Sequence, residues 1–151
     1  MTIHDKNSYV KEVISEGLNL ALILRTEFKE DGIRFFTPNN FSQQLGYMKR
    51  AKGYIIDPHI HNPVTREVEY TKEVLFIKSG KVRVDFYDND KKYLESEILN
   101  QGDVILLAYG GHGFEILEEA EIIEVKQGPY AGEKDKTRFK GIDSKDVYLD
   151  N

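Results

Sequence analysis

The sequence predicts an all-β domain, and three observations support this prediction. Short segments rich in β-branched and aromatic residues recur at near-regular spacing from residue 41 onward. Glycine, asparagine and aspartate separate these segments, as expected for tight turns between strands. No amphipathic pattern is long enough to predict a substantial helix. Together these features are typical of an antiparallel sandwich or barrel.

The first 40 residues predict an arm followed by the first strands. Val10, Val13 and Ile14 are spaced as on one helical face, but the run is short, so we expect an irregular arm or a single helical turn. Residues 19–26 form a dense apolar run that predicts a buried strand. Residues 33–37 predict a second, shorter strand.

The following segments predict short strands joined by turns. The Ser79-Gly80 pair predicts a two-residue hairpin turn, because such turns suit right-twisted strands. Glu118-Glu119 predicts the turn of a last hairpin, and the chain from residue 127 onward predicts loop. A loop or small hairpin is expected over residues 62–70. The expected strands are 44–49, 53–57, 59–62, 73–78, 81–87, 93–99, 104–108, 112–117 and 120–126.

Length and composition bound the class of protein. The chain has 151 residues, a net charge of −5 and no cysteine. We expect an N-terminal arm with the first strands (1–40), a barrel (41–127) and a C-terminal loop or tail (128–151). The acidic balance argues against duplex nucleic acid and anionic membranes as partners. The lack of cysteine, of a signal sequence and of a span-length apolar run predicts a cytoplasmic protein.

Three histidines and a glutamate carry the chemistry that the sequence suggests. His59 and His61 are two residues apart, so in a strand both imidazoles point to the same face. His112 follows the glycine pair 110–111 much later in the chain, and Glu73 lies between the histidines. Because neutral imidazoles are the commonest metal ligands, a fold that gathers these groups would make a metal site.

These residues resemble the two motifs of the cupin family. The first motif is matched by Gly53, His59, His61, Glu73 and Gly80. The second is matched by Gly102-Asp103 and then Gly110-Gly111-His112. The resemblance covers roughly residues 41–127 and implies a single double-stranded β-helix, or jelly-roll barrel. It also implies one divalent metal held by His59, His61, Glu73 and His112. Imidazole and carboxylate suit iron, manganese, zinc, nickel or cobalt, so the identity of the metal stays open.

The chain departs from the family pattern between its first histidines and its glutamate. Eleven residues separate His61 from Glu73, more than the family pattern has, so residues 62–72 are expected to be an insertion. Glu67 and Glu69 therefore stay open as alternatives to Glu73 for the carboxylate ligand. We favour Glu73, because its spacing to Gly80 matches the family motif.

The resemblance implies a metal-binding protein that acts on a small polar metabolite, such as a carbohydrate, with the metal as Lewis acid. Turnover, as by a metal-dependent isomerase or oxygenase, is left open. The tail is similar to the ending of sugar-nucleotide 3,4-ketoisomerases of the cupin fold, through Gly128-Pro-Tyr130 and Asp135-Lys136-Thr-Arg138. This second resemblance implies a metal-independent nucleotide-sugar isomerase or epimerase in which His59 or His61 is the acid-base. Lys136 and Arg138 could then contact a phosphate, and the alternative is a charged C-terminal loop folded over the outside of the barrel.

Two further expectations concern ligands and assembly. A non-enzymatic module that binds a small ligand is a third possibility, since one barrel hosts many activities. We also expect a homodimer, because such barrels have open sheet edges and the apolar strand Leu20–Leu24 could pair with a second subunit.

Overall fold

The computed structural model describes residues 9–149, and these residues form eight β-strands and no α-helix. The prediction of a nearly all-β protein is therefore confirmed. The strands are β1 (Val10–Ser15), β2 (Leu18–Leu24), β3 (Gly32–Phe35), β4 (Gly46–Lys49), β5 (Glu73–Tyr87), β6 (Tyr93–Asn100), β7 (Val104–Leu107) and β8 (Gly111–Lys126). Two short 3₁₀ helices, Gly132–Asp135 and Ser144–Asp146, interrupt the C-terminal loop. None of the helical turns between residues 9 and 149 has the length and apolar character needed to cross a membrane.

The described residues divide into two compact units. The larger unit consists of residues 9–28 and 70–149, and the smaller unit is Lys29–Glu69. Six of the strands lie in the larger unit, in one antiparallel sheet of order β1-β2-β7-β5-β6, with β8 paired to β5 as well. The smaller unit contains the β3–β4 hairpin.

The sheet of the larger unit curls because the two halves of β5 have different neighbours. Strand β7 pairs with residues 73–76 of β5, whereas β6 pairs with residues 81–87. Strand β8 accompanies β5 from Glu73, opposite Lys126, to Tyr87, opposite Gly111. This antiparallel, curled sheet is the part of the predicted barrel that the structure shows, and the specific double-stranded β-helix stays a prediction.

The two predicted hairpins at Ser79-Gly80 and Glu118-Glu119 are wrong. Both pairs lie inside long strands, and they face each other where the β5–β8 register is irregular. Gly80 has a φ of 85°, and a Cβ there would overlap the carbonyl oxygen of Glu119. The two turn-like signals therefore mark one shared bulge, at which both strands bend.

The core of the larger unit lies on one face of the curled sheet. Ile77, Val82, Val84 and Phe86 of β5 are almost completely buried, and every residue of this strand from Val82 to Tyr87 is buried. The remaining core residues are Val13, Leu20, Ala21, Ile23, Leu75, Leu99, Ile105 and Leu107.

The irregular arm or helical turn predicted near the N-terminus is wrong, because residues 10–15 form strand β1. Val10–Ser15 pairs antiparallel with β2, so the helix-like spacing of its apolar residues is misleading, and Val13 points into the core. Residues 1–8 lie outside the described residues. Strand β2 has hydrogen-bonded neighbours on both sides, β1 and β7, so Leu20–Leu24 offers no free edge to a second subunit. The homodimer itself stays a prediction.

The smaller unit is built on the β3–β4 hairpin. Its chain is folded back by the Gln44 side chain, which donates to the carbonyl oxygens of Pro38 and Phe41 at 2.9 Å. The strands predicted at 53–57 and 59–62 are wrong, because these residues have no regular secondary structure. Ile55 and Ile60 are 78% and 89% exposed, so their apolar pattern does not reflect a buried strand. Residues 62–69 are loop, one of the two forms predicted for them.

Candidate functional site

The larger unit contains a cleft of about 610 Å³. Its walls come from the start of β5, the β7–β8 connection, the two ends of β8 and the C-terminal segment. The polar and aromatic lining residues are Tyr70, Thr71, Glu73, Tyr87, Tyr109, His112, Phe114, Glu124, Lys126, Asp135, Lys136, Thr137, Arg138 and Phe139.

Glu73 and His112 meet in this cleft although they are far apart in sequence. Glu73 opens β5 and lies opposite Leu107, the last residue of β7. A three-residue connection then leads from β7 to β8. His112 is the second residue of β8 and therefore lies beside Glu73. The distance between His112 Nε2 and Glu73 Oε2 is 3.5 Å, with the two side chains 28% and 13% exposed.

The connection that positions His112 depends on close backbone packing. The amides of Ala108 and Tyr109 both donate to the carbonyl oxygen of Leu20, at 2.9 and 3.2 Å. Gly110 has a φ of 72°, and a Cβ there would lie 2.5 Å from the carbonyl oxygen of Tyr87. Only glycine fits this turn without displacing β5.

The environment of Glu73 favours its carboxylate form. The contact with His112 lowers the pKa of Glu73 below its ordinary value of 4.5. Burial opposes this effect, while the positive charges of Lys126 and Lys136 reinforce it. The Glu73 side chain is therefore an anion at neutral pH and can bind a cation.

The lowered pKa of Glu73 gives a pH prediction. A carboxyl group whose pKa is depressed by folding stabilises the fold above its unfolded pKa, and loses this effect as the pH falls through its folded pKa. We expect the free energy of unfolding of wild type, relative to Glu73→Gln, to fall as the pH is lowered from about 6 to about 3. Urea titrations of chelator-treated protein at several pH values measure this difference. A difference that is constant over this range would contradict the assigned environment.

Cations and aromatic rings surround the pair. Lys126 and Arg138 each have a carboxylate partner, Glu124 at 3.5 Å and Glu133 respectively. Tyr70 packs edge-on against Tyr109, with ring centroids 6.0 Å apart. Such a mixture of flat apolar surface and a few charged groups is typical of small-molecule sites.

His59 and His61 lie in the smaller unit, on an exposed segment without regular secondary structure. Their ring centroids are 5.2 Å apart. His59 Nδ1 lies 2.9 Å from the carbonyl oxygen of Asp57 and therefore donates to it, which leaves Nε2 as the nitrogen with a free lone pair. Metal-binding histidines commonly have such a carbonyl partner.

The predicted ligands are thus divided between the units, with Glu73 and His112 in one and His59 and His61 in the other. Within neither unit do the described residues group three or more histidine, cysteine, aspartate or glutamate side chains so as to hold a metal ion. Glu67 and Glu69, the alternative carboxylates, are exposed residues of the smaller unit. The four-ligand metal site and the choice among its carboxylates stay predictions.

Several residues of the cleft were not found from the sequence. Tyr87, Tyr109 and Phe139 line it, but they come from three separate segments and no spacing connects them. Phe114, on β8, lines the cleft as well. Outside the cleft, the Asp103 carboxylate caps the turn between β6 and β7 by accepting from the Asn100 amide at 2.8 Å.

Comparisons with protein-family models, with curated proteins and with solved structures each find no match for this chain. The resemblance to cupins therefore depends on the residues of the two motifs, and membership of that family stays a prediction.

Proposed function

We propose that the cleft of the larger unit binds a small polar metabolite and converts it, with Glu73 and His112 as the pair that acts on it. The observation that supports this proposal is the 3.5 Å contact between an imidazole and a carboxylate inside a cavity of about 610 Å³. This volume lies within the range of cavities that hold small organic ligands. We also propose that the curled sheet is a barrel of cupin type.

The lining of the cleft suggests the chemistry of the metabolite. Lys126, Lys136 and Arg138 line it together with the carboxylates Glu73, Glu124 and Asp135, and these cations could contact a carboxylate or phosphate group of a ligand. Tyr70 and Tyr109 provide aromatic surface, against which the apolar face of a sugar ring can pack. A small anionic carbohydrate matches both features.

A divalent metal is part of this proposal, with Glu73 and His112 as two of its ligands and His59 and His61 as the others. The donor chemistry fits, because carboxylate and imidazole suit first-row transition metals and Nε2 of His59 has its lone pair free. When bound, the metal would polarise a carbonyl or carboxylate oxygen of the metabolite as a Lewis acid.

Metal content tests this assignment. We expect purified protein supplied with iron, manganese, zinc or nickel to retain about one equivalent of metal, and Glu73→Gln to bind it at least about tenfold more weakly. Elemental analysis and metal titration measure both quantities. Glu69→Gln is the matched control, since this exposed carboxylate belongs to the predicted insertion and should leave metal affinity unchanged.

These measurements distinguish a wrong choice of carboxylate ligand from a wrong metal site. If Glu69→Gln loses the metal and Glu73→Gln retains it, the carboxylate assignment is wrong. If wild type retains none of the four metals, the metal site is wrong, and the function proposed next is favoured instead.

A second candidate function is metal-independent acid–base catalysis, and the direct Glu73–His112 contact favours it. His112 presents Nε2 to Glu73, so Nδ1 is the ring nitrogen left to exchange a proton with a metabolite. Glu73 would orient the ring, as a carboxylate does beside a catalytic histidine. We therefore assign the acid–base role in this candidate to His112 instead of His59 or His61.

Chelation distinguishes the two functions once a metabolite is found. A thermal-shift screen of sugar phosphates and hydroxy acids identifies ligands, since binding to the native state raises the melting temperature. Conversion that survives exhaustive chelation and is lost in His112→Gln supports the acid–base candidate. A ligand that is recovered unchanged after long incubation supports a binding module without turnover.

A further inference from the structure

The C-terminal segment forms one wall of the cleft. Residues 135–139 and Gly141 line it, and they include Lys136 and Arg138. Residues 136–143 have no regular secondary structure. The position of this wall therefore depends on side-chain contacts with the sheet instead of on strand pairing.

Two contacts fix the ends of the wall. At its beginning, the Thr71 hydroxyl donates to Asp135 Oδ1 at 2.5 Å. At its end, the amide of Ile142 donates to the Tyr87 hydroxyl at 2.7 Å. Between them, the Phe139 ring packs edge-on against the Tyr87 ring, with centroids 5.0 Å apart.

Tyr87 and Phe139 also reach the reactive pair. Tyr87 is a buried residue at the end of β5, and it lies opposite Gly111 on β8. A Cβ at Gly111 would lie only 2.9 Å from the edge of the Phe139 ring, so this ring packs directly on the backbone next to His112. Movement of Phe139 would consequently open the cleft beside His112.

We propose that Tyr87 is a positioning residue, whose hydroxyl holds residues 137–142 in place as the wall of the cleft and so sets the position of Arg138. Tyr87 acts through the segment that it holds and need not contact the metabolite. The proposal rests on the proposed function only for its consequence for ligand binding, and the seating of the segment can be measured without any ligand.

A second tyrosine offers a matched control. The Tyr93 hydroxyl accepts from the amide of Tyr148 at 2.8 Å, so it holds the same tail further along the chain. Tyr93 is not among the residues that line the cleft. Phenylalanine at either position removes the hydroxyl and keeps the ring.

Amide exchange by NMR gives the first readout. We expect Tyr87→Phe to speed exchange of the Ile142 amide about tenfold, because one hydrogen bond is lost, and to shift the imidazole signals of His112. Tyr93→Phe should speed exchange at Tyr148 and leave both of these signals unchanged. If Ile142 exchanges at the wild-type rate in Tyr87→Phe, the proposal is wrong. Should Tyr87→Phe not fold, Phe139→Leu removes the ring that packs on Tyr87 and is expected to loosen the same segment, with a smaller increase in exchange at Ile142 and shifted His112 signals.

Binding of pyrophosphate gives the second readout. We expect Tyr87→Phe to weaken binding about fivefold, since each displaced exposed charge loses a small free energy, and Tyr93→Phe to bind as wild type does. Faster exchange without weaker binding would refute the positioning role. If wild type itself fails to bind pyrophosphate, the anionic ligand of the proposed function is wrong, while the exchange and the His112 signals still decide the role of Tyr87.

Discussion

Replacement of Asp103 by alanine is expected to lower the free energy of unfolding by about 3–5 kcal/mol, because it leaves two amides without an acceptor and removes one of the two carboxylate partners of Arg25. Asp103 is 1% exposed. Its carboxylate accepts from the amides of Thr26 and Asn100, at 3.0 and 2.8 Å, and from Arg25 Nη1 at 3.0 Å. The side chain thus joins the end of β2 to the turn between β6 and β7.

Urea denaturation of the purified variants measures this effect. Asp88→Ala is the matched control, since Asp88 also caps a turn, by accepting from the amides of Asp90 and Lys92 at 2.9 Å, but in an exposed position. Loss of this exposed cap should cost only about 1 kcal/mol. Equal losses in the two variants would show that the contact of Asp103 with Arg25 contributes little.

Replacement of Gly80 by alanine is the second change expected to have a large effect, about 3–5 kcal/mol. The residue has a φ of 85°, which side chains other than glycine rarely adopt. In addition, an added Cβ would overlap the Glu119 carbonyl oxygen and lie 2.7 Å from the Ala120 Cα. Because these are backbone atoms of the paired strand, they cannot move aside as a flexible side chain would.

Gly17→Ala isolates the conformational part of this cost. Gly17 has a φ of 76° in the turn between β1 and β2, but no atom lies within 4 Å of an added Cβ. Its replacement should cost about 1–2 kcal/mol, the penalty for a left-handed conformation alone. Thermal or urea unfolding of both variants gives the comparison. If Gly80→Ala is no more destabilising than Gly17→Ala, the strands separate easily at the bulge.

The sequence predicted the strands whose residues alternate or are buried together, but not how the long strands pair. The apolar runs of β2 and β7 mark buried strands regardless of their neighbours. The β5–β8 bulge is different, because a glycine with positive φ serves a hairpin turn and a bulge equally well. Only the partner strand decides between them, and the partner of Gly80 is almost forty positions further along the chain.

Two other errors have a similar cause. The spacing of Val10, Val13 and Ile14 fits a helix, yet hydrogen bonds to β2 make this segment a strand. Ile55 and Ile56 are β-branched and apolar, yet they are exposed and outside any strand. Local composition indicates which secondary structure a segment favours. Pairing with strands elsewhere in the chain decides whether that secondary structure forms.

The residues of the candidate site were likewise predicted only in part. Motif spacing singled out Glu73 and His112, and the structure places them in one cleft. The tyrosines and the phenylalanine that complete the cleft come from segments without a shared pattern, so spacing could not reveal them. The role of His59 and His61 as ligands depends on chemistry that metal analysis can test.

The network at Asp103 also has a consequence for kinetics. Arg25 and Asp103 are 78 residues apart, so their contact forms only after a long loop has closed, at a considerable cost in chain entropy. We expect this contact to be one of those that form only after the rate-limiting step of folding. Such contacts slow unfolding more than they speed folding. The Asp103 carboxylate should therefore act chiefly on the lifetime of the folded protein, and hence on its resistance to proteases that cleave it only after global opening.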